Sequence, residues 1–78
     1  MTDTLLTDAL KAWRLQRARR DEVPAFVVLH DSTLVDIAGR APSSERELSA
    51  IGGIGPVKLA RYGAELLEVI KGIGASSR

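Results

Sequence analysis

The chain of 78 residues has no cysteine. That removes disulfides, thiolate catalysis and cysteine-ligated zinc, and it fits a reducing compartment, so a cytoplasmic location is expected. Aromatic residues are scarce, with one Phe, one Trp and one Tyr. His30 is the only histidine. It has no co-ligands at metal spacing, and Asp31 beside it does not point the same way on a helix, so no metal and no cofactor are expected. No apolar run approaches the roughly 20 residues that a membrane span needs, and Met1-Thr2-Asp3-Thr4 does not read as a signal peptide. Neither repeats nor low-complexity tracts are evident. An excess of one charge is lacking too: Lys and Arg number 11 against 10 Asp and Glu, for a net +1. With 45% hydrophobic residues the composition is globular. The length suits one small domain that buries roughly 60% of its unfolded surface.

What is present is organised around Val23-Pro24-Ala25-Phe26-Val27-Val28-Leu29-His30-Asp31, the densest apolar run. Pro24 fixes its own φ and disfavours helix at Val23, so a preceding helix should stop there. Val27, Val28 and Leu29 are expected in the core. Phe26, at the edge of the run, can either pack inward or stand half exposed and stack on a base. The preceding helix spans about Thr4 to Arg20, with Asp3 or Thr4 as N-cap. Leu6, Leu10, Trp13 and Arg17 share one face, which places Trp13 in the core. Lys11, Arg14, Leu15, Ala18 and Arg19 are assigned to the opposite side. There Lys11, Arg14 and Arg19 form a solvent face, and Ala18 leaves a gap for a strand of phosphates. Arg17 and Arg20 are expected to pack through their stems at the core edge.

Beyond the run, a helix should start near Asp31-Ser32-Thr33, capped by Asp31 or Ser32, and bury Leu34, Ile37, Ala38 and Ala41. Pro42 ends that region. Ser44-Glu45-Arg46-Glu47 fits a capping box that opens a short helix with Leu48 and Ile51 on its apolar face. Gly52, Gly53 and Gly55 allow positive φ and a tight turn, and Pro56 suits the first position of a last helix. That helix is expected to reach about Lys71, with Leu59, Ala60, Gly63, Leu66, Leu67 and Ile70 inward and Lys58, Arg61, Glu65 and Glu68 outward. Gly72 and Gly74 should end it, leaving 72–78 as a loose tail. No stretch alternates like a strand. The expected architecture is all-α, a compact five-helix bundle over residues 4–71 with one short helix after the first long one.

Charge is unevenly placed. Residues 11–20 carry Lys11, Arg14, Arg17, Arg19 and Arg20 with no acid, whereas 21–50 carry Asp21, Glu22, Asp31, Asp36, Glu45 and Glu47 against Arg40 and Arg46. A basic first helix beside a more acidic middle points to nucleic-acid contact or to docking on a charged partner. Gly53-Ile54-Gly55 between two helices resembles the hairpin of a helix–hairpin–helix motif, which aims backbone N–H groups at a phosphate. Lys58 would add charge there, although Leu59 stands where that motif usually carries a small residue. A plain glycine turn between packed helices is the reading the same residues favour. Ser43 and Ser44 serve as caps, with no histidine near in sequence to activate them. The carboxylates of Asp31, Asp36, Glu45 and Glu47 lie largely at helix starts, where capping accounts for them, so no catalysis is expected.

Three blocks then resemble a known family in the right order. They are Leu6-x3-Leu10-x2-Trp13-Arg14, the run Val23 to Leu34, and Ile51-Gly52-Gly53-Ile54-Gly55-Pro56-Val57-Lys58-Leu59-Ala60-Arg61-Tyr62-Gly63. Together they resemble the HRDC domain, the helicase-and-RNase-D C-terminal module, over about Thr4 to Lys71. The resemblance implies a five-helix bundle and an accessory, non-enzymatic module of a larger protein. The parent is most often a RecQ-family helicase and in some cases a UvrD-like helicase or an RNase D. It also implies binding to single-stranded or branched DNA that tunes which structures the helicase engages. The family's aromatic after the Pro-x pair is commonly Tyr and falls at Phe26, which keeps a stacking face and loses the hydroxyl. Arg14 matches a recurrent Arg of the first helix.

The expected site is therefore Lys11, Arg14, Arg19, Phe26 and His30, with Gly53, Gly55 and Lys58 as a second phosphate site. The expected partners are DNA and the helicase core of the same polypeptide. No membrane partner is expected, the isolated domain should be monomeric, and in a bacterium it would be nucleoid-associated. The alternative role is docking on a helicase domain or partner through an acidic face of Asp21, Glu22, Asp31 and Asp36.

Overall fold

The computed structural model describes residues 4–76, with side chains as far as Ile73. Five helices follow one another: α1 (Thr4–Asp21), α2 (Ala25–Val28), α3 (Asp31–Arg40), α4 (Glu45–Ser49) and α5 (Pro56–Ser76). No strand occurs among the described residues. The all-α, five-helix expectation holds, with α2 as the short helix after the first long one.

The order of packing follows from α1. Leu6, Leu10, Arg14 and Ala18 recur every four residues and line one side of it, while Ala9, Trp13 and Arg17 line another. α1 accordingly packs on α2, α3 and α5, and α4 packs on α5. Leu10, Val28, Leu29, Leu34, Ile37, Leu48 and Leu66 are fully buried at the centre. The radius of gyration is 11.5 Å, which matches the roughly 11.5 Å that a close-packed chain of this length should have.

Two helix ends use left-handed residues other than glycine. α1 does not stop through Pro24 alone. Val23 N–H donates to Ala18 C=O (3.0 Å) and Glu22 N–H to Arg19 C=O (3.3 Å), with Glu22 at φ 56°. This is the Schellman arrangement with Glu where Gly is usual, and half-buried Val23 supplies its apolar contact. α3 ends in the simpler left-handed cap on Ala41, at φ 45°, whose N–H donates to Ile37 C=O at 2.8 Å. Ala41 is thus an exposed cap and not part of the buried side. Pro42 behind it is buried.

Several other expectations are corrected. Val27 is 44% exposed. A one-turn helix cannot aim three successive residues inward, and Leu29 reaches the core because the backbone there turns extended. The N-cap of α3 is His30, without a side-chain bond, and neither Asp31 nor Ser32. The capping box of α4 forms with a shift. Ser44 Oγ accepts from Glu47 N–H at 3.2 Å, but the Glu47 carboxylate reaches back to Ser43, accepting from its N–H and its hydroxyl at 3.1 Å each. Ala60 is exposed, while Tyr62 is buried. α5 runs through Gly72 and Gly74 to Ser76, so the segment expected as a loose tail begins as helix. Asp3, one of the two caps expected for α1, and residues 77–78 lie outside the described residues.

Candidate nucleic-acid interface

The α2 turn is fixed on both sides. Pro24 starts it and Leu29 leaves it toward the core, so Phe26 has no route inward. Phe26 is 60% exposed. His30, one turn further at the start of α3, sets its imidazole beside it, with ring centroids 6.4 Å apart and planes 30° from parallel. Both rings are exposed, and together they form a stacking surface at the edge of the molecule. The two possibilities left open for Phe26 by the sequence are decided here in favour of exposure.

Arg14 lies below this surface. It belongs to the α1 row that faces α2 and α3, so it is not on an open solvent face and its side chain is only 14% exposed. One guanidinium nitrogen, Nη1, donates to Leu29 C=O at 3.0 Å and to Asp31 Oδ1 at 2.7 Å. Ala18, expected as a gap for phosphates, is 4% exposed and inside the core. The reason is that Ala18 continues the Leu6, Leu10 and Arg14 row, which is covered by packing. Lys11 remains exposed and lies close enough to act on Asp31. The hydrogen bond from Arg14, and then its charge, hold the Asp31 carboxyl below the ordinary carboxylate range, with Lys11 and His30 adding to the effect. Arg19 is exposed further along α1 and enters none of the described ion pairs.

The glycine turn adjoins the same end of α3. Gly53 has φ 95°, whereas Gly52 and Gly55 need no positive φ. Thr33, in the first turn of α3, donates from its hydroxyl to Gly52 C=O at 3.2 Å. A Cβ on Gly53 would strike that hydroxyl. The turn is therefore pinned to α3 three residues from His30, and Lys58 follows half-buried in the first turn of α5.

Arg17 belongs to the scaffold, whereas Arg20, expected beside it at the core edge, is exposed. Arg17 Nε donates to Asp21 Oδ2 (3.2 Å), its Nη1 donates to Glu65 Oε2 (2.5 Å), and its guanidinium sits 5.1 Å from the centre of the Tyr62 ring. The bond to Asp21 raises its pKa further above an already high value. Trp13 is half-buried, donates from its indole to Glu65 Oε1 at 3.1 Å and meets Tyr62 edge-on at 5.7 Å. Tyr62 donates to Asp21 Oδ2 at 3.4 Å, and Arg61 Nη2 lies 3.9 Å from the same oxygen. Glu65, expected outward, ties α5 to α1. Sequence reasoning missed this network because its hydrogen bonds between α1 and α5 join residues 41 to 52 positions apart.

The network also divides the expected acidic face. Asp21 is enclosed by Arg17, Arg61 and Tyr62, and Asp31, though exposed, is paired with Arg14, which leaves Glu22 and Asp36 outside the described ion pairs. Among the described residues no three His, Cys, Asp or Glu side chains gather as metal ligands would, and no helix is long and apolar enough to cross a membrane.

The fold and this surface define a small all-α module that offers an exposed aromatic and neighbouring cations. The HRDC domain model matches residues 3–70. The ATP-dependent DNA helicase UvrD2 of Mycobacterium tuberculosis is 46% identical over 63 residues, covering 81% of this chain and 9% of that protein. The helicase RecQ of Bacillus subtilis is 38% identical over 66 residues, covering 85% of this chain and 11% of that one. Among solved structures, HRDC domain 3 of Deinococcus radiodurans RecQ superposes with a TM-score of 0.86 at 30% identity, covering 88% of this chain and 91% of that one. The first HRDC domain of the same helicase gives 0.63 at 41% identity, covering 90% and 93%. The chain belongs to the HRDC domain family, a non-catalytic accessory module carried by the helicases it matches. It spans about a tenth of the length of the curated helicases it matches.

Proposed function

We propose that this domain is a nucleic-acid-binding module of an ATP-dependent DNA helicase. It binds single-stranded or branched DNA weakly and without sequence specificity, and so tunes which DNA structures the helicase engages and unwinds. The observation that carries this reading is the exposed Phe26 ring set against His30, with Lys11 and Arg14 beside it. A bare aromatic stacks on any base, since every base has a π face, and flanking cations hold the phosphates. Arg19 and the Gly53–Gly55–Lys58 turn extend the cationic surface. Among the described residues nothing reads like a recognition helix inserted in a groove.

Three or four phosphate contacts give a log–log salt slope on single strands of roughly −2 to −3 and an affinity on the order of 10⁻⁵ to 10⁻⁴ M for the isolated domain. In that role the domain is monomeric, contacts DNA and its own helicase core, and works in the cytoplasm, on the nucleoid if the source is bacterial. The alternative of docking through Asp21, Glu22, Asp31 and Asp36 draws less support, because two of the four are neutralised within the domain.

The test is an NMR titration of the labelled domain with a short single-stranded oligonucleotide at low salt. Shifts gathered on Lys11, Phe26, His30, Asp31 and the Gly52–Lys58 turn are expected. A folded domain whose spectrum does not move at millimolar DNA refutes the reading.

A further inference from the structure

The Arg14 contacts are lopsided. Arg14 is nearly buried, while its partner Asp31 is 88% exposed. On one side the guanidinium is held by Leu29 C=O, a backbone group in the core that cannot leave. On the other it is held by a carboxylate at the first position of α3 with nothing over it. If Asp31 swings away, Arg14 keeps its place and points its free donors at solvent beside Phe26 and His30. An exposed ion pair is easily given up, and the departing carboxylate stays at a helix N-terminus, where the dipole favours it.

We propose that Asp31 is a built-in competitor for phosphate, occupying Arg14 in the free domain and yielding it to a DNA phosphate on binding. This rests on the DNA-binding reading above and adds a regulated step to it. The carboxylate presents to Arg14 the same anionic oxygen that a phosphate would. It holds the guanidinium ready and makes weak, single-phosphate encounters unproductive. Only a ligand that also gains the Phe26 stack and the neighbouring cations displaces it. The lowered pKa of the Asp31 carboxyl agrees with an occupied Arg14 in the free state.

The experiment compares Asp31→Asn with Asp36→Asn, which removes the same charge from an exposed residue of the same helix outside the described ion pairs. Binding of a fluorescent oligothymidine is measured across a salt series. Asp31→Asn should tighten binding about three- to five-fold and change the salt slope by less than about 0.7, the worth of one phosphate contact, because Arg14 holds the same phosphate in both complexes. Asp36→Asn should change affinity by less than about two-fold. In an Arg14→Gln background the advantage of Asp31→Asn over Asp36→Asn should vanish. The unmutated protein supplies a second readout: the Asp31 carboxyl, followed by ¹³C NMR, should titrate at a higher pH when DNA is saturating. Equal effects of the two Asn variants, or an Asp31 titration unmoved by bound DNA, overturn the proposal while leaving DNA binding intact. Absence of binding by the wild type and both variants instead overturns the functional reading, and this one with it.

Discussion

Gly53→Ala tests how the glycine turn is held. At φ 95° an L-residue pays roughly 1–2 kcal/mol for the left-handed region alone. The new methyl also meets Thr33 Oγ1. Thr33 is buried at the α3–turn contact, so its side chain must rotate and forfeit the bond to Gly52 C=O, worth about 0.5–1.5 kcal/mol. Against this, alanine restricts the unfolded chain and returns about 0.4–1 kcal/mol. The net is a loss of about 2 kcal/mol, a large share of the stability of a domain this small. Urea unfolding followed by circular dichroism measures it, with Gly52→Ala and Gly55→Ala as controls. Neither control site has an atom within 4 Å of a built Cβ or a positive φ, so each should cost under about 0.5 kcal/mol. A Thr33→Ala, Gly53→Ala double variant should recover the steric part and leave the backbone part, a coupling that a double-mutant cycle reads directly. If Gly53→Ala falls within 0.5 kcal/mol of Gly52→Ala, the turn is not held as described.

Three further predictions follow from the same geometry. Phe26→Ala should weaken oligothymidine binding by about 1–3 kcal/mol, the worth of one stacked base, while moving the urea midpoint little, because the ring is exposed; anisotropy and unfolding curves separate the two effects. Arg17→Met should destabilise by about 2–3 kcal/mol, since charge-assisted bonds to Asp21 and Glu65 are lost from a side chain only 13% exposed. Arg17→Lys should not restore the loss, because a single ammonium cannot bridge both carboxylates and cover Tyr62; denaturant midpoints check both. Finally, Asp31 has a folded-state pKa below its unfolded value near 3.8. Its contribution to stability is then present above that value and fades as pH falls through the lower folded one. Arg14→Gln should move the Asp31 midpoint upward in a ¹³C carboxyl titration, and an unmoved midpoint would exclude Arg14 as the cause.

The sequence alone determined the class of the molecule and the order of its parts. Periodicity and punctuation are local properties. Pro24, the Ser44–Glu47 spacing and the Gly52–Pro56 turn therefore placed five helices within a few residues, and the three blocks that resemble HRDC domains carried the family. Where local rules competed, they misplaced ends. Glu22 and Ala41 take left-handed caps that no propensity favours, and α5 continues through Gly72 and Gly74 because a helix already started propagates at little cost.

Only the tertiary structure decided the site. Whether Phe26 faces out depends on which residues of a one-turn helix the core accepts, and the core took Val28 and Leu29 while leaving Phe26 and Val27. Whether a cation is free depends on partners distant in sequence: Arg14 meets Asp31 across 17 positions and Arg17 meets Glu65 across 48, so neither is the open phosphate ligand that a count of basic residues on α1 suggests. Composition records how many charges a chain has. Packing determines which of them are already spoken for, because a charge that loses water on folding must find its counter-charge or hydrogen-bond partner wherever the fold puts one.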